Sequence, residues 1–142
     1  MLHKMHTKKN KIREDNEVYL AGFEYWLNNK GLSKKTINTH MSNVEFYINE
    51  YLCYVTLDVS HGPHEINGFL GNWFIRKAAW SSCAHIKAIA SSIKKFYAYL
   101  LEDKVVEQDD YDALCCTIKE YMLDWLDEMR RYEATLFEDY YY

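Results

Sequence analysis

The chain has 142 residues, enough for one domain with one hydrophobic core. Nearly half of them are apolar, 13 are tyrosines, and one proline and five glycines interrupt them, a balance that favours a folded helical domain over a disordered chain. Its apolar runs are short and broken by charge, so no segment is expected to span a bilayer, and the N-terminal lysines lack the apolar stretch of a secretory signal.

The formal net charge of −4 conceals an asymmetry. Residues 1–101 hold 13 Lys/Arg against 8 Asp/Glu, and residues 102–142 hold 4 against 13. A basic body followed by an acidic tail keeps a polyanion open as partner of the first part, while the whole molecule is expected to be a poor non-specific nucleic-acid binder. Cys53, Cys83, Cys115 and Cys116 form no CxxC pair and no zinc spacing. Reduced, mostly buried thiols in a cytoplasmic setting are the expectation.

Residues 1–13 read as a basic, mobile arm without an apolar period. A first helix is expected from near Glu14, with Val18, Tyr19, Gly22, Phe23, Trp26 and Leu27 as its stripe and Gly31 as its stop. Ser33 opens a second helix as N-cap, with Ile37, Met41, Val44, Ile48 and Tyr51 inward and His40 and Tyr47 flanking. Phe46 projects off that stripe, so something should cover it. Lys34 and Lys35 sit in the first turn, where cations oppose the helix dipole; they fit an anion, or are simply tolerated in solvent. Tyr54–Pro63 is a connection, with an extended stretch expected at Tyr54–Leu57; His61 and His64 suit a turn before a helix better than a metal pair.

A short third helix is expected over His64–Lys77, with Ile66, Phe69, Leu70, Trp73 and Phe74 inward. A fourth helix, capped by Ser81 or Ser82, runs to Glu102. Ile86, Ile89, Ile93, Phe96, Tyr97 and Leu100 form its inner face; Ala84, Lys87, Ala88, Ser91 and Lys95, with Lys94 at the edge, form the other. Alanine and serine allow close approach of a phosphate chain and the lysines neutralise it, although a solvated lysine face on a core helix has the same pattern. Lys104–Asp110 reads as a linker. A fifth helix from near Asp110 carries a narrow stripe of Leu114, Ile118, Tyr121, Trp125, Met129, Tyr132 and Leu136, which either folds back on the first four helices or joins a second chain. Asp139–Tyr142 is expected to fray.

Gly31-Leu32-Ser33-Lys34-Lys35-Thr36-Ile37-Asn38-Thr39-His40, followed by Val44 and Tyr47, resembles the opening of the N-terminal core-binding domain of tyrosine recombinases, the phage integrases. Glu65-Ile66-Asn67-Gly68-Phe69-Leu70 resembles that domain's third helix, and Ser82–Ile86 through Ser91–Leu100 its last. The resemblance covers about residues 14–104. It implies an all-α fold: a four-helix SAM-like orthogonal bundle that grips one face of duplex DNA, with the fifth amphipathic helix over 105–142 as an addition to the family pattern.

Carried over position by position, the resemblance implies DNA contacts at Ser33, Lys34, Lys35, Thr36 and Thr39 on the second helix. On the fourth it implies Ser82, His85, Lys87, Ser91 and Lys95. These are phosphate-positioning types, without the arginines or paired amides that read base edges, so sequence preference is expected to be weak. The catalytic half of such recombinases needs a His-x-x-Arg unit, and no histidine here is followed three places on by arginine. The expected role is a nucleoid-associated DNA-binding module with no catalytic activity, no cofactor and no membrane contact. It would occupy a recombination-type site beside a recombinase catalytic subunit. The alternative is a protein-interaction or oligomerisation module that self-associates through the fifth helix. A further possibility is that the acidic helix lies over the basic face and masks it.

Overall fold

The computed structural model describes residues 2–78 and 80–141, with side chains described over 7–78 and 80–138. The fold is all-α, with no strand among the described residues. Helix α1 is Leu2–Asn29; α2 is Lys34–Glu45 and runs on through a wider turn over Phe46–Leu52. A short 3₁₀ turn, Val59–His61, leads into α3, which joins three segments end to end: Gly62–Gly68, Phe69–Trp73 and Phe74–Lys77. Helix α4 is Cys83–Glu102 and α5 is Gln108–Tyr141. No helix is long and apolar enough to cross a membrane among the described residues.

The first correction is at the N-terminus. The segment read as a mobile arm is helical from Leu2, and Ile12 and Asn16 are buried. The Asn16 amide donates to Ile48 O at 3.2 Å and Asn49 Oδ1 at 2.8 Å, fixing α1 against α2. Val18, placed on the inner stripe by its spacing, is 70% exposed; Phe23 and Leu27 are the residues of that stripe that reach the core. At about 100° per residue Ile12, Asn16, Phe23 and Leu27 fall within an arc of about 60°, and Val18 lies about 150° from its middle, which leaves Val18 outside.

The second correction concerns α2 and α3. Cys53 N–H reaches back five residues to Ile48 O at 3.1 Å, so the helix widens there. Widening breaks the 3.6-residue period: Tyr47, expected at the flank, is fully buried and donates to Gly62 O at 2.6 Å. The equivalent wide segment of α3 packs Phe69 against Tyr47 and Tyr51, and Phe46 is covered as expected, by Phe69, Trp73, Phe74 and Trp80.

Tyr54–Leu57 is a helix stop, not an extended stretch. Leu57 N–H bonds Leu52 O at 2.8 Å and Thr56 N–H bonds Cys53 O at 2.9 Å, with Thr56 at φ 60°. Helix α4 ends in the same way: Val105 N–H to Leu100 O at 2.9 Å, Lys104 N–H to Leu101 O at 3.1 Å, and Lys104 at φ 60°. Gly31, at φ 75°, holds the corresponding place after α1. A side chain in this region costs about 1–2 kcal/mol. Lys104 is exposed, so Lys104→Gly is expected to raise stability by about 0.5–1 kcal/mol, the remainder being lost to unfolded-chain entropy. A denaturant midpoint at or below wild type would contradict this assignment.

The fifth helix folds back. Leu114, Trp125, Leu126 and Met129 are buried against α3 and α4, and Arg76 joins Glu128 at 2.6 Å. Tyr121 (37% exposed) and Leu136 (50% exposed) fall outside the contact. The backbone stays helical to Tyr141, so fraying does not begin at Asp139; Tyr142 lies outside the described residues.

Candidate nucleic-acid interface

Helix α4 buries all six residues expected on its inner face. Ala84, Lys87, Ala88, Ser91, Lys94 and Lys95 are all exposed on the other. That outer face runs beside the start of α2, and together they form an open cleft of about 890 Å³. Lys34, Lys35 and Thr39 line it from α2, and Ala84, His85 and Ala88 from α4. Two helix starts thus share one concavity. Each has its N-terminal dipole end there, and neither has an acidic residue in its first turn.

The two caps are well defined. Ser33 Oγ accepts from Thr36 N–H at 3.2 Å and donates to Thr36 Oγ1 at 3.0 Å. Ser82, not Ser81, caps α4, accepting from His85 N–H at 3.1 Å, with His85 Nδ1 2.8 Å from the same oxygen. Ser81 Oγ is turned inward to Ile75 O at 3.1 Å. Ser33, Thr36 and Ser82 are therefore engaged in shaping the helix starts as well as lying at the expected contact surface. Thr39 Oγ1 donates to Lys35 O at 3.1 Å.

Not every expected residue meets in this cleft. Ser91 and Lys95 line a second, smaller depression of about 350 Å³ with Trp26, Lys94, Ala98 and Tyr111. Lys87 is exposed and lines neither. Along α4 the two depressions follow one another from Ala84 to Ala98, about 21 Å at 1.5 Å per residue. The acidic helix does not mask this face, since Lys34, Lys35, Lys87, Lys94 and Lys95 all stay exposed.

These five lysines make no ion pair among the described residues, whereas Arg76, Arg130 and Arg131 are all paired with carboxylates. The three arginines on or beside α5 are thus neutralised while the lysines of α2 and α4 are not; Lys77, Lys104 and Lys119 are likewise without an ion pair among the described residues.

A polar joint holds the two helices in register. Ser92 is fully buried, and its Oγ lies 2.8 Å from His40 Nδ1, 3.0 Å from Asn43 Nδ2 and 3.1 Å from Ala88 O. With Asn43 donating and the hydroxyl proton directed to Ala88 O, the remaining lone pair of Ser92 Oγ suits a donor, which assigns the Nδ1-protonated tautomer to the imidazole. Burial and the nearby Lys95 ammonium hold the His40 pKa below its usual 6.5. A histidine depressed in the fold adds stability above its unfolded pKa and loses it as pH falls through the folded value. The denaturant midpoint is therefore expected to drop on acidification below about pH 6.5, less steeply in His40→Gln, which keeps a donor to Ser92. An identical pH profile in the variant would remove His40 from this role.

Asn38, Ser42, Asn43 and Trp80 also line the cleft and were not among the expected site residues. Asn38 and Ser42 lie one and two helical turns on from Lys34, so the 3.6-residue period carries that signal. Trp80 lies in the turn before α4, where no periodicity points to it. Among the described residues no group of His, Cys, Asp and Glu is arranged to hold a metal ion. Comparison of the chain with protein-family models, curated proteins and solved structures gives no match.

Proposed function

We propose that this protein is a DNA-binding module that grips duplex DNA mainly through phosphates, using the starts of α2 and α4, and that it carries no catalytic step of its own. The observation that carries the reading is the shared cleft: Lys34 and Lys35 stand across from Ala84, His85 and Ala88, with no carboxylate in its lining. Small residues on α4 admit a sugar–phosphate backbone closely, and unpaired lysines supply counter-charge. The about 21 Å of α4 face matches the axial length of roughly six phosphates of one strand at about 3.4 Å per charge.

The sequence likeness to recombinase core-binding domains agrees with this reading and suggests an accessory or competing factor at a recombination-type site. Against the self-association alternative stands the burial of Leu114, Trp125 and Met129 within the chain itself; Leu123 and Leu136 on the same helix stay exposed. A titration of random-sequence duplex across salt tests the proposal. A slope of log affinity on log salt of about −3 to −5 is expected from four or five lysine–phosphate contacts. A flat dependence, or no retention at low salt, would remove it.

A further inference from the structure

Part of the cleft has no use in gripping phosphates. Cations and N–H groups on a wet surface hold a sugar–phosphate backbone, and an aromatic ring adds little to that. Yet the cleft is bounded by Trp80, which is 43% exposed. The indole is fixed in place, meeting Phe46 at 5.1 Å, Phe74 at 4.9 Å and His85 at 5.2 Å, each edge to face. His85 is itself tied to Ser82. In the same lining stand Lys34 and Lys35, without an ion pair among the described residues, and Asn38, whose exposed carboxamide offers both donor and acceptor.

A rigid ring, unpaired cations and a free amide are three parts of one recognition set. In intact duplex the faces of the bases are covered by their neighbours, and a protein meets only edges and backbone. An unpaired base exposes its face, and an aromatic side chain that stacks on it strengthens binding by about 5- to 150-fold per base. The cleft, at about 890 Å³, lies within the about 300–1,000 Å³ of sites that enclose small molecules, and so has room for a nucleotide. The second depression also sets aromatic rings, Trp26 and Tyr111, beside Lys94 and Lys95, but its lining has no amide and Lys30 Nζ already lies 4.8 Å over the Trp26 ring. The nearest α4 residues of the two depressions, Ala88 and Ser91, are about 4.5 Å apart along the helix axis, so one short strand can reach both.

We propose that the cleft takes an unpaired nucleobase: Trp80 stacks on it, Asn38 meets its edge, and Lys34 and Lys35 hold the flanking phosphates. The preferred substrate is then single-stranded or locally opened DNA. This rests on the DNA-binding reading above and narrows it from phosphate grip to base capture.

Fluorescence anisotropy of the full chain tests it with three labelled probes, compared at each point of one salt series: an oligothymidine, a blunt duplex of the same length, and that duplex with an unpaired thymidine bulge. The oligothymidine and the bulged duplex are expected to bind about tenfold tighter than the blunt duplex. Trp80→Ala is expected to erase the preference. Because Trp80 also packs on Phe46 and Phe74, Ala88→Phe serves as second variant. It fills the cleft from an exposed position, removes no aromatic contact, and is expected to abolish the preference without lowering the thermal midpoint.

Equal affinity of the wild type for all three probes overturns the proposal, and so does a preference retained in Ala88→Phe. If all three bind equally and with steep salt dependence, base capture falls and phosphate grip stands. If none is retained at low salt, both fall.

Discussion

Changing Lys34, Lys35, Lys87 and Lys95 together to glutamine is expected to lower affinity for random-sequence duplex by about 10²–10³-fold at physiological salt, and to flatten the log–log salt slope by about 3–4. The physical basis is counter-ion release, to which each phosphate-neutralising lysine contributes nearly one unit of slope. Folding is expected to survive, since all four side chains are exposed and none has an ion-pair partner among the described residues. Lys104 and Lys119, exposed but outside both depressions, provide the matched control; glutamine there is expected to leave the slope unchanged. An unaltered slope in the fourfold variant, with the thermal midpoint intact, would detach the lysine face from any role with nucleic acid. If Lys34→Gln and Lys35→Gln alone reproduce the whole loss, Lys87 and Lys95 are removed from the surface.

What could be read from the residues in advance follows from how local each feature is. The inner face of α4 and the caps Ser33 and Ser82 are set by interactions within about one turn, and a 3.6-residue period or a serine before an apolar run reports them directly. Phe46 was legible as needing a cover, because an aromatic off the buried stripe needs a neighbour; which rings supply it is a tertiary matter. Helix α1 beginning at Leu2 was not legible. Its early turns hold lysines and histidines with, among the described side chains, one buried apolar residue, Ile12, and are anchored partly through Lys9 O and Asn16, bonds made by distant parts of the chain. The wide turns of α2 and α3 were hidden for a similar reason. No residue type marks them, and they exist because Tyr47, Tyr51, Phe69 and Trp73 pack as one aromatic layer. Thr56 and Lys104 in left-handed positions escaped because glycine is the usual marker there. For the site itself, the α2 and α4 contributions were each readable as helix faces, but their meeting depends on Ser92 joining His40 and Asn43, a contact across 49 to 52 residues of sequence.

Trp125→Ala is expected to destabilise the protein by about 3–5 kcal/mol, out of a total of about 5–15 kcal/mol for a domain of ordinary stability, and to lower the thermal midpoint by about 10–20 °C. The indole is 2% exposed, its N–H donates to Asn67 Oδ1 at 2.8 Å, and it packs closely enough on α3 that a methyl group at Gly71 would lie 2.8 Å from Cδ1. Gly71→Ala is therefore expected to destabilise in the same direction, by pushing the same ring out of place, although it removes no atoms. This changes what the C-terminal helix is for. If α5 were a docking arm for a second chain, Trp125→Ala would alter the assembly state and spare the thermal midpoint; as an integral layer over α3 and α4, it should do the reverse. Removal of everything after Glu102 then becomes a test of folding. It strips Leu114, Trp125, Leu126 and Met129 from the core together, and is expected to leave a chain that no longer unfolds cooperatively. A truncated chain that unfolds cooperatively at the wild-type midpoint and binds DNA more tightly would mean that α5 is a removable cover over the basic face, and that its place against α3 contributes little to the fold.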